Sequence, residues 1–209
     1  MKIKEFIGSL VFIIILLITY GFFPVKNIFQ QVVVIFVFFG ILPVLFNKFI
    51  LKRSLQDVNV RIGDWRQGLL WSGVLVVVSI IVILILDHFF GFLKHYTVPI
   101  SIIHSFKAFI LYEFTGVIFL VFMYEFFFRG FMISILKMRL GYWAIIIQAL
   151  TFMLLAATIG DSTWKLVPYV VFAPLAGVVV YKSGSILYSS TLQFLLFVIL
   201  DASVVRMMK

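Results

Sequence analysis

The chain has 209 residues, of which 64% are hydrophobic, 18% aromatic and only 12% charged, with a formal net charge of +9. A soluble domain is about 45–50% apolar and about 25% charged, so the composition excludes a soluble enzyme, a disordered chain and a nucleic-acid-binding domain. The solvent is a bilayer. The 17 Lys and Arg residues lie thinly between apolar runs with no block of five or six, which reads as cationic loops at a membrane surface. The absence of Cys removes disulfide frameworks, cysteine zinc sites and cysteine nucleophiles together.

A membrane-spanning helix needs about 20 mostly apolar residues. Taken in chain order, the runs Phe6–Phe23, Phe29–Phe46, Gly68–Phe90, Phe106–Leu136, Tyr142–Thr158, Leu166–Tyr181 and Ile186–Val205 qualify. The first follows Met1-Lys2-Ile3-Lys4 and is too long, with no small-residue cleavage site after it, to read as a signal peptide. The fourth exceeds one perpendicular span, so it must tilt, begin at the interface near Pro99–His104, or project beyond the bilayer. None of the runs alternates as barrel strands do. The fold class is therefore all-α, a polytopic transmembrane helix bundle of about seven spans.

One sizeable polar segment, Asn47–Gln67, separates the second and third runs, and Trp65 and Arg66 sit where interface anchors belong. Pro43, Pro168 and Pro174 fall within or near spans, where neighbouring groups must satisfy the freed carbonyls. Ser183-Gly184-Ser185 reads as a tight interhelical turn. Basic residues favour the side holding the N-terminus and the exits of the second, fourth and sixth runs. An N-in arrangement follows, with the C-terminus outside if seven spans is right.

Ionisable residues inside apolar spans mark sites, because each costs about 2.5–3.5 kcal/mol at a helix centre on insertion scales. The candidates are Glu113, Glu125 and Arg129 in the fourth run, with Asp87, His88, His104, Asp161 and Asp201 near predicted ends. Glu125 and Arg129 are four apart with the acid first, so they share a helix face in the favourable order. Gly130 follows and admits a close neighbour. Such a pair is either an internal salt bridge pinning helices or part of an active site. Glu113 lies twelve residues before Glu125, about a third of a turn around the helix, so the two carboxylates do not obviously share a site. His88, His95 and His104 lack zinc spacing, and no glycine-rich phosphate loop is present. No metal and no cofactor are expected.

The segment Tyr124-Glu125-Phe126-Phe127-Phe128-Arg129-Gly130 resembles the first motif of the CAAX-protease and bacteriocin-processing family of intramembrane proteases, Glu-Glu-x-x-x-Arg. Its second Glu, Phe, Arg and following Gly match, and Tyr124 stands at the first Glu. The stretch Arg61–Leu70 looks like the family's entry into its core helices. The run from Phe152 to Ala156 is similar to the second motif, Phe-x-x-x-His, with Ala156 at the His. Ala176–Leu187 resembles the turn before the third motif, His-x-x-x-Asn, which places Gln193 at the His and Phe197 at the Asn. The resemblance covers roughly residues 50–205. It divides the chain into two N-terminal transmembrane helices over 1–49 and a CAAX-protease-like core over 50–209.

In that family the first Glu and the second-motif His are thought to activate a water, while the third-motif His and Asn stabilise the oxyanion. That chemistry needs a base near the water and donors aimed at developing charge. Tyr124, with a reference pKa of about 10, is a poor base. Ala156 and Phe197 have no polar side-chain atom, and Gln193 alone could donate to an oxyanion. Glu125 and Arg129 are the motif members best suited to holding helices together. The resemblance thus implies a proteolytically inactive scaffold, regulator or bacteriocin-immunity type factor with a membrane or envelope protein partner. An active endopeptidase with atypical residues and a small transporter component, its polar path made by Glu113, Glu125 and Arg129, are the alternatives. The implied setting is a prokaryotic inner membrane with a cytoplasmic N-terminus; the partners are the bilayer and protein, not nucleic acid.

Overall fold

A computed structural model describes residues 2–159 and 163–208, with side chains apart from 159 and 163–166. Asp161 lies outside the described residues. Among those described there is no strand, as period-3.6 apolar runs in a bilayer require: only a helix satisfies its backbone within one segment.

Among the described residues, seven apolar helices occupy the seven expected runs: α1 (Ile3–Gly21), α2 (Ile28–Ile50), α3 (Trp65–Phe90), α4 (Phe106–Leu140), α5 (Trp143–Ile159), α6 (Thr163–Ser183) and α7 (Ile186–Met207). The helices α1, α2, α3, α4 and α7 are long and apolar enough to cross a membrane, whereas α5 and the described part of α6 are shorter. At 1.5 Å per residue, α5 reaches about 25 Å, just under the hydrocarbon thickness. Two short helices, Phe92–His95 and Ile100–His104, lie between α3 and α4. The chain is an integral membrane helix bundle.

Helix starts follow side-chain capping. Asn27, Asp64, Ser105 and Ser185 each accept a backbone N–H at the start of α2, α3, α4 and α7. Pro43 lies between two π-helical stretches of α2, Phe36–Ile41 and Phe46–Ile50. A proline lacks the N–H for the regular ladder, and widened turns beside it absorb that loss. The 35-residue α4 carries two such stretches, Tyr112–Val117 and Glu125–Met132. Its length exceeds one perpendicular crossing.

The main core joins α1, α2, α4, α5, α6 and α7 through aromatic rings. Phe39 of α2 sits 4.8 Å from Phe127 and 5.5 Å from Tyr124, and Phe12 of α1 stacks on Phe46 at 4.0 Å. On the other side α3 packs mainly on α6, and α6 on α5. Large apolar residues such as Leu69, Leu84, Leu154 and Ile199 remain exposed, as lipid contact requires.

The polar segment before α3 is a built clip. A 3-10 turn, Leu55–Val58, ends on Asn59 in the left-handed region at φ 63°, which Asn tolerates better than most residues. Buried Asn59 then ties three elements together. Its Nδ2 donates to the Gly130 carbonyl at 3.2 Å and more weakly to that of Arg129 at 3.4 Å. Its own carbonyl accepts the Ile186 N–H at 3.0 Å, capping α7. Arg61 Nε donates to the Gly184 carbonyl at 3.1 Å. A Cβ on Gly130 would lie 2.9 Å from the Val58 carbonyl, so the clip and α4 touch backbone to backbone. Asn59→Ala is therefore expected to destabilise the bundle by about 1–3 kcal/mol, read as a lowered midpoint of thermal unfolding in lipid nanodiscs.

Candidate functional site

About halfway along α4, Glu125 and Arg129 are both wholly buried, and Arg129 Nη1 lies 3.4 Å from Glu125 Oε1. The spacing of four brings them together even though Glu125–Met132 is π-helical, and the neighbours complete the site. Ser189 of α7 donates its hydroxyl to Glu125 Oε2 at 2.5 Å. The Arg129 guanidinium lies over the Phe152 ring of α5, 4.9 Å from its centre, a favourable cation–π arrangement. The pair thus holds α4, α5 and α7 together in the centre of the bundle.

Tyr124, one residue earlier, faces a different environment. Its ring lies 5.5 Å from Phe39, 5.8 Å from Phe152 and 6.2 Å from Tyr169 of α6, with the Tyr20 phenol of α1 also beside it. Tyr169 in turn packs against Phe197 of α7 at 4.3 Å and Phe152 at 6.3 Å. Rings of α4, α5 and α7 therefore meet in an unbroken aromatic set, with Tyr169 of α6 in the middle.

Buried Ala156 stands one turn beyond Phe152 on the same face of α5. Gln193 is wholly buried, one turn after Ser189 and one turn before Phe197 on α7. Neither its amide oxygen nor its nitrogen has a hydrogen bond among the described residues. An unsatisfied buried amide costs about 1–3 kcal/mol. Gln193→Leu is accordingly expected to leave the thermal midpoint unchanged or raise it; a clear fall would show that the amide has a partner.

Glu113 does not approach Glu125. It faces Asp201 of α7, and Tyr96, Tyr112 and Tyr169 surround the two carboxyl groups. His88 and His104 are exposed, and Asp87 accepts the Leu93 N–H at 2.9 Å as the chain leaves α3. No group of three or more metal-binding side chains occurs among the described residues.

Sequence reasoning missed Ser189, Tyr169 and the Glu113–Asp201 approach. Ser189 carried a signal, since it lies four residues before Gln193 on the helix already singled out. Tyr169 carried none: its place between Tyr124 and Phe197 depends on how α6 packs.

By fold the protein is an all-helical membrane bundle with a buried Glu–Arg pair at its centre. Within it, residues 106–199, a little under half of the chain, match the sequence model of a family described as type II CAAX prenyl endopeptidase Rce1-like. The resemblance read from the motifs stands on this match, which begins at α4 and ends within α7. The clip and α3 lie outside it. No curated protein and no solved structure matches the chain.

Proposed function

We propose that this is a CAAX-protease-like membrane protein that does not cleave peptides and serves as a scaffold, regulator or immunity-type factor for another membrane or envelope protein. One observation carries the reading. The positions that would supply a base and oxyanion donors are Tyr124, Ala156, Gln193 and Phe197, and Tyr169 stacks into the space between Tyr124 and Phe197. Hydrolysis needs a positioned water, a base of suitable pKa and converging donors. An aromatic cluster supplies packing instead.

Glu125 is the remaining acid of the motif, and its carboxylate is engaged by Arg129 and Ser189. An ion-paired, hydrogen-bonded carboxylate is a strut between helices rather than a free base. The excess of basic residues on the side of the N-terminus and the clip supports a cytoplasmic N-terminus, and the chain's size and its family resemblance support a prokaryotic inner membrane.

The test is proteolysis by the full chain in nanodiscs, with prenylated C-terminal peptides and single-span membrane peptides as substrates and mass spectrometry as readout. The expected result is intact peptide at long incubation. Product that is lost in Glu125→Gln, with the fold retained, would overturn the proposal.

A further inference from the structure

Beneath the clip, a groove of about 360 Å³ opens between α2 and α4, and neither Glu125 nor Arg129 lines it. Phe36, Ile41 and Leu45 of α2 form one wall, Phe122 and Phe126 of α4 the other, and Leu55 of the clip closes one end. Gly40 makes the floor: a Cβ there would lie 3.2 Å from Met123 Sδ, so α2 rests directly against α4. Every residue of the lining is apolar, and Phe36, Ile41, Leu45, Leu55 and Phe122 keep exposed surface. From Phe36 to Leu45 the groove runs about 13 Å along α2. One leaflet of the hydrocarbon core is about 15 Å deep, so the groove has the reach of a single leaflet.

The closed end of the groove meets a cationic surface. Between Asn47 and Gln67 the chain carries five basic and two acidic residues, and both acids already serve the clip itself. Asp57 accepts the Ser54 N–H and hydroxyl, each at 2.8 Å, and Asp64 caps α3. Arg61 is turned to the Gly184 carbonyl. Lys48, one turn beyond Leu45 on α2, and Lys52 are both exposed. Arg53 is half-buried and reaches across to α4, where its Nη2 lies 2.9 Å from Met138 Sδ. Asp57 acts on Arg53 electrostatically, yet among the described residues no carboxylate lies within ion-pair distance of Lys48, Lys52 or Arg53. Exposed Trp65, with the Arg66 guanidinium 5.5 Å from its ring centre, sets the clip at the level of lipid headgroups.

We propose that this is a binding site for one anionic phospholipid, its acyl chain in the groove between α2 and α4 and its phosphate against Lys48, Lys52 and Arg53. Each half of the site selects one half of the ligand. An apolar recess open to a bilayer fills with hydrocarbon, because an empty one forfeits contacts on every wall. The cations above it then favour a headgroup whose only charge is negative. A zwitterionic headgroup brings an ammonium to the same place and loses that preference.

A second copy of the chain fits the groove less well. A two-fold contact places the same patch against itself, which would bring Lys48 and Lys52 towards their own counterparts. Nor does the site depend on whether the chain cleaves peptides, since it uses none of the residues at the motif positions. The bound lipid would instead tie α2 and the clip to α4, bridging the part of the chain that matches the family model and the part that precedes it.

The experiment is native mass spectrometry of the full chain in detergent, with phosphatidylglycerol and phosphatidylethanolamine of identical acyl chains in competition. The native protein is expected to retain one phosphatidylglycerol in preference to the zwitterion. Lys48→Gln with Lys52→Gln should weaken that binding about fivefold for each lysine removed. Leu45→Trp, at an exposed position, fills the groove and should abolish retention; Ile41→Trp carries this arm if the first variant does not fold. Leu154→Trp, in the separate groove between α1 and α5, should leave retention unchanged. Equal retention of the two lipids, or selectivity that survives both the groove and the lysine variants, would overturn the proposal. Displacement of the lipid by millimolar inorganic phosphate would reduce the site to a free-anion site, and a dimer in place of the lipid adduct would assign the groove to a second copy; either result would overturn it too.

Discussion

Arg129→Ala is expected to lower stability by about 3–5 kcal/mol, because it leaves the Glu125 charge buried without its partner. The neighbours make this cost hard to avoid. Glu125 is wholly buried, its second oxygen is already engaged by Ser189, and removing the guanidinium also strips the cation from the face of Phe152. If the pair acts as a strut, replacing both members by apolar residues of similar volume should recover most of the loss. Glu125→Leu with Arg129→Met is the matching double variant. Ser189 still has a local acceptor in the Ile186 carbonyl at 3.2 Å, so it is not stranded. Chemical or thermal unfolding in nanodiscs of both single variants and the double variant measures the coupling. Additive losses in the double variant would show that Glu125 and Arg129 act separately.

Gly63→Val is expected to be of comparable size, on the order of 3 kcal/mol, for a different reason. Gly63 has φ 63°, in the left-handed region that a β-branched residue strongly resists. A Cβ there would also collide with the Ser183 backbone carbonyl, which cannot swing away because it accepts the Asp64 N–H at 2.8 Å. Gly91 separates the two effects. It has φ 61° but no close neighbour, Lys94 Cδ being nearest at 3.8 Å, so Gly91→Ala carries strain alone, about 1 kcal/mol. A Gly63 variant no worse than the Gly91 variant would mean that the clip does not hold the α6–α7 turn.

The helices were legible because a bilayer reduces the problem to length and polarity. Seven apolar runs correspond to seven helices among the described residues, while the caps at Asn27, Asp64 and Ser185 emerged only with the structure. The Glu125–Arg129 pair was legible for the same reason, since charge is costly inside the membrane and the spacing of four fixes a common face. Pairing between helices was not. Glu113 finds Asp201 eighty-eight positions later, and Tyr96 reaches it from a short connecting segment. No periodicity within one helix encodes either contact. The polar stretch before α3 was visible as composition alone, yet its work depends on single atoms of Asn59, Arg61 and Asp64 meeting the carbonyls of Gly130, Gly184 and Ser183.

These packing details bear on function through Tyr169. Nothing in its own sequence context distinguishes it from the other tyrosines near span ends. Its ring nevertheless lies against Phe197 and Tyr124, residues at two of the positions where the resemblance places catalytic groups. Whether that centre is a wet cavity or a packed one decides between hydrolysis and a structural role. The chain contains no Cys, so one introduced thiol reports on one place. Ala156→Cys, assayed in nanodiscs with a charged, water-soluble thiol reagent against Gln56→Cys on the exposed clip, is the most direct measurement. A packed aromatic centre predicts that the thiol at 156 stays unmodified while the one at 56 reacts to completion. Reaction of both at similar rates would reveal water at the site and contradict the account.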